Sequence, residues 1–456
     1  MEHLPEEILI GVIDLLEHSI YPEHKVGLLG LRQTSKKFAR LAAPAVFKAV
    51  PVWIGVKSLQ RLHDLSHNER VAQHVQKLRF STLQIQEPVP NHPDLDIPEE
   101  ELCLDTTSQG SHLMRVANYE AKYAQYYKGQ SVLYERKIAS QILRQALNRL
   151  PRLCHIEVYL SCHIIGAKEL RSDFGAITHE EYFWDSEATL PILLDALEDC
   201  SSSISSFSVY PENEEAPSDP DTDLAKPHPV STGINALQGF PARLDWERLE
   251  CLNLDSGAYS PTQDEDDHDK AISTTLDYIR KAPLISKLVL RGMFKDTGFP
   301  PWRQKLPHLR HLEISQVEFT DKKSVVRVFD NHRSTLETAV FATGLFGLYD
   351  EDHQFAHWAV IAQHLRELDL IALRVLKLTI GGYMDAVDFC PYVKRQTGVY
   401  PIAKNNLENK TQDNTDEDSL YVMSDSDMDH TEEYDSDWDS DEARSGLDSE
   451  TDNTME

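Results

Sequence analysis

Cysteine, glycine, basic residues and long apolar runs are all scarce in this chain, and each shortage removes a class of protein. Six cysteines stand at positions 103, 154, 162, 200, 251 and 390 of 456 residues. None forms a Cys-x-x-Cys pair, which excludes a dense disulfide framework and the common zinc knuckles. So thinly spread, they read as reduced, mostly buried thiols of an intracellular protein. The 19 glycines form no phosphate-cradling loop and no Gly-x-Ser-x-Gly elbow. No stretch of about eighteen apolar residues occurs, so no membrane span is expected. The N-terminus, Met1-Glu2-His3-Leu4-Pro5, has no basic segment ahead of an apolar core, and no signal peptide is expected. Basic residues number 45 against 75 acidic ones, a net charge of -30. Such a chain repels phosphate, so nucleic acid is not an expected partner.

The excess acid is local. Residues 405–456 hold 19 acidic and 2 basic residues, a net of -17, and leave -13 on the preceding 404. This segment is poor in aliphatic residues and cannot offset the entropy of ordering, so a disordered acidic tail is expected there. Within it Ser424, Ser426, Ser436, Ser445 and Ser449 each have an Asp three residues on, the spacing that suits an acid-directed kinase. Upstream, 41% hydrophobic composition supports folded domains. Acidic and Pro-rich stretches at 87–101, 211–231 and 264–269 read as loops. The last lacks the Gly and final Glu of a calcium loop.

Residue constellations that carry chemistry are sparse. His63 with His67 and His353 with His357 lie at helical spacing, and His364 follows His357 by seven residues. No Glu completes a metalloprotease motif, so these read as exposed helical histidines and no metal or other cofactor is expected. Trp246, Trp302 and Trp358 read as packing residues. No Cys and His pairing suits a catalytic thiol. A non-catalytic protein is the expectation, although an enzyme whose site escapes motif reading stays open.

Residues 1–50 read as a small helical unit. Leu4, Ile8 and Val12 fall on one stripe; Leu9, Ile13 and Leu16 fall on the next. Pro5 suits a first helical position, and Glu6 and Glu7 suit the positive end of the helix dipole. The segment Ile20-Tyr21-Pro22-Glu23 breaks this helix. A second apolar run holds Val26, Leu28, Leu29 and Leu31. Thr34 or Ser35 caps a third helix carrying Phe38, Leu41 and Ala42, which ends at Pro44. Three short helices cannot bury this much apolar surface alone, so part of it must meet another protein or the next domain.

The order Leu4-Pro5-Glu6-Glu7-Ile8-Leu9, Ile13, Leu16, Leu28-Leu29-Gly30-Leu31-Arg32, Ser35-Lys36-Lys37-Phe38, Leu41-Ala42-Ala43-Pro44 and Phe47 resembles the F-box, in the form common among fungal proteins. The gap from Ser19 to Lys25 is longer than usual and reads as a loop. The resemblance implies docking on a Skp-type adaptor, and through it cullin, by Leu4, Pro5, Ile8, Leu28 and Leu31. Phe38 and Leu41 would then close the module's own core.

From 51 to about 400 one phrase recurs: apolar-x-x-apolar-x-apolar. It appears as Val75, Leu78, Phe80; Leu153, Ile156, Val158; Ile204, Phe207, Val209; and Leu249, Leu252, Leu254. It returns as Ile285, Leu288, Leu290; Leu309, Leu312, Ile314; Leu336, Ala339, Phe341; and Leu373, Leu376, Leu378. The last three positions alternate with strand period. Helix-like stretches at 132–147, 191–199, 272–281 and 322–331 precede several of them, the grammar of parallel strands with crossover helices. The phrases resemble degenerate leucine-rich repeats. Steps of 36, 24, 27 and 37 between the centres at 252, 288, 312, 339 and 376 are irregular against a usual period of about 20–29. The asparagine that normally follows the strand is replaced by Gly257, Met293 and Val317. An unrelated α/β domain with parallel strands stays open.

The fold class expected is therefore α/β: a three-helix F-box at 1–50, an irregular leucine-rich-repeat-like solenoid at 51–404, and a disordered tail at 405–456. The resemblance implies a substrate-recognition subunit of a Skp–cullin–F-box ubiquitin ligase, in cytoplasm or nucleus. The alternative is a scaffold that binds the adaptor outside a ligase. A protein substrate would meet the strand positions Asn253, Val289 and Glu313, expected to be exposed between the apolar ones.

Overall fold

Three helices open the chain: α1 (Glu6–Glu17), α2 (Pro22–Thr34) and α3 (Lys36–Phe47). The computed structural model describes residues 5–17, 22–85, 87, 109–135, 137–160, 165–166, 169–170, 182–184, 186–198, 200, 204–210, 245–255, 275–294, 305–317, 322–342, 360–379 and 387–397. Residues 1–398 form one compact unit and 399–456 another; all described residues belong to the first. In the helical module Leu9, Ile13, Leu28, Phe38 and Ala42 are buried. Leu16, Leu31, Leu41, Ala45 and Val46 pack against that core. Ser35 caps α3, its Oγ accepting from the Phe38 N–H at 3.3 Å, which leaves one orphan donor fewer.

Two boundaries differ from the sequence reading. Helix α2 begins at Pro22, so residues 22–25 are helical and not loop. A proline at the first helical position has no N–H to leave unpaired. Helix α3 continues through Pro44 to Phe47. An internal proline costs about 3 kcal/mol. The contacts of Ala45 and Val46 with the module core, and of Arg32 with the Phe47 ring at 4.4 Å, oppose that cost.

Beyond the module, ten strands form one sheet. They are β1 (Ala49–Trp53), β2 (Lys77–Ser81), β4 (His155–Tyr159), β6 (Ser206–Tyr210), β7 (Cys251–Asp255), β8 (Lys287–Phe294), β9 (His311–Val317), β10 (Thr338–Ala342), β11 (Val375–Thr379) and β12 (Val387–Asp388). A separate pair, β3 (Leu83–Ile85) with β5 (Tyr182–Trp184), is antiparallel. In the large sheet each strand lies beside the next in chain order, and every pair is parallel except β11 with β12. All eight apolar phrases coincide with strands. The expected boundary at residue 50 falls inside β1. Met293 and Val317 lie within β8 and β9, which run on through the positions where the sequence lacks asparagine.

Register is shared across the sheet. Val50, Leu78, Ile156, Phe207, Leu252, Leu288, Leu312, Ala339 and Leu376 align in one buried row. Val52, Phe80, Val158, Val209, Leu254, Leu290, Ile314, Phe341 and Leu378 form the second. Helix α4 (Val56–His67) is followed by the short α5 (Glu69–Ala72), and α4, α7 (Ile138–Leu147) and α8 (Ser186–Glu198) pack in succession, α4 on α7 and α7 on α8. They contribute Leu59, Leu62, Leu143, Leu147, Leu193 and Leu194 to the interior. Each such side chain contributes about 1.5–3 kcal/mol when fully buried. The expected helix at 132–147 is in fact two, α6 (Gln109–Glu135) and α7, separated at Lys137 with φ 52°. That at 191–199 starts earlier, at Ser186, and encloses Pro191. Helix α9 (Lys322–Asn331) matches its expectation.

One backbone joint repeats from turn to turn. The Lys48 carbonyl accepts from both Gln76 and Lys77 N–H; Gln76 accepts from Cys154 and His155; Cys154 from Ser205 and Ser206; Ser205 from Glu250 and Cys251. The series continues with Glu250, Ser286, Arg310 and Glu337, the last accepting from Arg374 and Val375. At the far end β12 turns back along β11, the Phe389 N–H reaches the Leu376 carbonyl at 2.7 Å, and α10 (Cys390–Val393) follows with Cys390, Tyr392 and Val393 buried. At the near end α6 lies over β3. Trp53, Leu83, Ile85, Tyr159, Ile165 and Leu170 form a second apolar cluster there, with Tyr123, Tyr126 and Tyr127 of α6 against it.

Candidate functional site

Helix α1 is apolar on two sides and buries only one. Leu9 and Ile13 point into the module, whereas Ile8 is 54% exposed, Val12 44% and Leu15 76%. Their spacing puts Ile8, Val12 and Leu15 on one stripe. Leu29 on α2 is exposed as well. An added Cβ at Gly11, Gly27 or Gly30 would meet no atom within 4 Å, so the module's own packing does not demand a glycine at any of them. A run of large exposed apolar side chains on so small a unit makes this face a candidate interaction surface.

The five residues expected to meet an adaptor divide accordingly. Pro5 is exposed, its carbonyl accepting from the Leu9 N–H at 3.3 Å, and Ile8 is exposed. Leu28 is only 4% exposed and belongs to the module core, with Leu31 packed beside it. These two therefore hold the three helices together, and the available leucine of that run is Leu29. Leu4 lies outside the described residues. Phe38 and Leu41 take the core roles expected of them. Sequence reading passed over Leu15 and Leu29 as surface residues. The signal for Leu15 is the spacing i, i+4, i+7 from Ile8 through Val12; Leu29, on a different helix, has no such signal.

The second surface is the polar face of the sheet. Asn253, Val289 and Glu313 do lie side by side in one row on this face, as expected. The expectation of exposure fails for Val289, 2% exposed, because the side chains around it on this face are longer. Asn253 and Glu313 are half-buried, and the Asn253 Oδ1 is buried with no hydrogen-bond partner.

Charge on this face is organised around two carboxylates. Glu157 accepts from Lys77 Nζ at 2.5 Å, Arg79 Nε at 3.1 Å and the Tyr159 hydroxyl at 3.0 Å, and lies 3.5 Å from His155 Nε2. Burial pushes its carboxyl up, but the Lys77 hydrogen bond and the Lys77 and Arg79 charges outweigh it and hold the group below its ordinary value. Burial and then the Lys77 charge bring His155 down to about 4, Glu157 opposing and Arg79 and Lys287 assisting. Burial, then Glu157, raises the Tyr159 phenol. On the other side Glu313 accepts from Arg291 Nε at 2.8 Å, and Arg291 also lies 3.6 Å from Asp255. His311 first, and then Arg291, hold the Glu313 carboxyl low against its burial. Hydroxyls, amide and charges here offer recognition groups, and the sheet fixes them.

The remaining sequence candidates sort simply. The His63 and His67 rings lie 4.0 Å apart on α4, tilted by 36°, and the His67 ring bonds the His63 carbonyl at 2.8 Å. His364 bonds the Val360 carbonyl at 2.8 Å. Among the described residues no group of three His, Cys, Asp or Glu could hold a metal ion, and no helix is long and apolar enough to cross a membrane. Trp246 is buried and stacks on Tyr278 at 5.6 Å. Cys154, Cys200, Cys251 and Cys390 are free thiols. His353, His357, Trp302, Trp358, Gly257, the acidic run at 264–269, the Pro-rich stretch at 211–231 and the whole acidic tail lie outside the described residues. Neither a protein-family model nor a curated protein sequence matches this chain.

Proposed function

We propose that the chain is a non-catalytic substrate-recognition subunit of a Skp–cullin–F-box ubiquitin ligase. The α1–α3 module is the F-box, and the sequential sheet with its helices is a degenerate leucine-rich-repeat solenoid. The observation that carries the reading is the outward stripe Ile8, Val12 and Leu15, with Leu29, on a module in which Leu9, Ile13, Leu28, Phe38 and Ala42 close a core of their own. Strict chain order of the parallel strands supports the repeat reading, because a doubly wound sheet reverses its order at a switch point. Such a subunit acts by proximity. It holds a substrate beside charged ubiquitin and turns a bimolecular encounter into an effectively intramolecular one.

The adaptor face then comprises Pro5, Ile8, Val12, Leu15 and Leu29. Affinity purification of the full chain with a Skp-type adaptor and cullin tests this, with Ile8→Glu plus Leu15→Glu as the interface variant. The intact chain should bring down both proteins and the folded variant neither. Adaptor without cullin would indicate a scaffold outside a ligase. A folded intact chain that brings down no adaptor would end the proposal.

A further inference from the structure

Two neighbouring turns of the sheet reverse the charge sign of the chain. Segments 277–287 and 305–311, which lead into β8 and β9, hold Arg280, Lys281, Lys287, Lys305 and Arg310 against one acid, Asp277, a net of +4 on a chain at -30. The turns on either side are acidic: 245–251, leading into β7, is at -2, and 330–338, leading into β10, is at -1. Asp277 pairs with Arg280 at 2.6 Å, and Arg310 lies 3.7 Å from Glu337. Lys281, Lys287 and Lys305 are exposed, and among the described residues none of the three has an ion-pair partner.

The two turns are built alike and lie side by side. Lys281-Ala282-Pro283-Leu284-Ile285 repeats in pattern as Lys305-Leu306-Pro307-His308-Leu309. Ala282 and Ile285 are buried, as are Leu306 and Leu309. The Ile285 and Leu309 N–H groups close the turns on the Ala282 and Leu306 carbonyls at 3.3 and 3.2 Å. The Ser286 carbonyl accepts from the Arg310 and His311 N–H groups at 2.8 and 2.9 Å, so equivalent positions stand about 4.8 Å apart, one strand spacing. Lys281, Pro283 and Leu284 are exposed in one turn, and Lys305, Pro307 and His308 in the other. Leu284 is 41% exposed, a large apolar side chain among these lysines. Lys281 Nζ sits 4.4 Å over the Tyr278 ring, a contact that steers the ammonium and supplies no anion.

We infer that the turns leading into β8 and β9 form a docking surface for an acidic segment of a protein partner, one that carries an apolar side chain among its carboxylates. The apolar side chain would pack on Leu284, and the carboxylates would lie against Lys281, Lys287 and Lys305. The acidic turns on both sides repel a segment of the same sign, which confines it to the basic pair. One exposed ion pair contributes little, so the contact needs the three lysines and Leu284 together. The inference goes beyond the ligase reading and does not depend on it, because the adaptor face belongs to α1 and α2.

The test is fluorescence anisotropy with the full chain and a labelled glutamate-rich peptide holding one central leucine. Comparison peptides replace the leucine by serine, or the glutamates by lysine. The leucine form should bind, the serine form should bind more weakly, and the lysine form should not bind. Lys281→Glu plus Lys305→Glu should weaken binding by about tenfold or more. Leu284→Ser should weaken it too, and both variants should keep the melting temperature. Arg149→Glu plus Arg152→Glu makes the same charge change on the exposed turn before β4 and should leave binding nearly unchanged. No binding by the intact chain, equal effects of the two double variants, or equal affinity for the leucine and serine forms would overturn the inference. So would equally tight binding of a single-stranded oligonucleotide. Adaptor capture is measured on the same samples. Peptide binding without adaptor capture would remove the ligase reading alone, and adaptor capture without peptide binding would remove this inference alone.

Discussion

Single residues connect parts of this chain that are far apart in sequence. Gln130 on α6 accepts from the Ile85 N–H at 2.8 Å and donates to the Ile54 carbonyl at 2.7 Å, all of it buried. Gln130→Ala strands both backbone groups and should cost on the order of 1–3 kcal/mol, read as a lower urea midpoint at constant m. His332 is fully buried, donating from Nδ1 to the Val328 carbonyl at 2.7 Å and accepting from the Leu306 N–H at 3.0 Å. It is thus held neutral, and burial lowers its pKa. The unfolded chain takes up that proton first, so this contribution is complete above about pH 6.5 and declines as pH falls below it. The melting temperature should drop from pH 7 to pH 5, with a shallower slope in His332→Gln. Glu157 and Glu313 act in a lower window, because depressed carboxyls lose their contribution only as pH falls through the carboxylate range. Within the Glu157 cluster, Glu157→Gln should move the His155 pKa below about 4 and Lys77→Gln should move it up, followed by imidazole NMR. A glutamine in a helix or a histidine after one is unremarkable in sequence. Their partners lie too far along the chain, or are backbone groups, so neither role was legible.

At the scale of the element, α1 shows why periodicity places a stripe but not its direction. Its apolar residues cover two adjoining stripes, and both satisfy a helical period. Which one turns inward depends on where α2 and α3 lie, and that is tertiary information. The same ambiguity separates Leu28, inside, from Leu29, outside. The two stripes should respond differently. Ile13→Ala should cost about 2–5 kcal/mol of stability. Ile8→Glu plus Leu15→Glu should abolish adaptor capture with little change in the melt, the hot-spot behaviour of interface anchors. Gly11 lies on the exposed side, with open space where a methyl would go. Gly11→Ala should therefore stabilise the module by about 0.5–1 kcal/mol. A simultaneous loss of adaptor capture would place the partner directly over α1.

For the molecule as a whole, the eight recurring phrases were legible because each alternation of two sits three residues after another apolar side chain. That combination suits a strand entered from a tight turn. Elements without it escaped: β1, the two-residue β12, and the β3–β5 pair, whose halves stand about a hundred residues apart. These depend on partners, not on local pattern. Mid-sheet strands have neighbours on both sides, so Leu252→Ala should cost about 2–5 kcal/mol and loosen amide protection in β6 and β8 together, visible by hydrogen exchange.

The shared carbonyls bear on how such a chain changes length over evolutionary time. Between one accepting oxygen and the next, the polypeptide runs 24 residues from Ser286 to Arg310 but 78 from Gln76 to Cys154, and the joint is the same. Alignment is set at the joint, where two donors converge on one oxygen, and not by the excursion that leads to it. Closing a longer excursion adds only about 0.6 kcal/mol per doubling of its length. Segments between joints are thus free to grow, shrink or be exchanged while the rows on either side keep their positions. Lineages carrying this architecture should diverge in length between the strands far sooner than in the residue pairs that meet at each carbonyl.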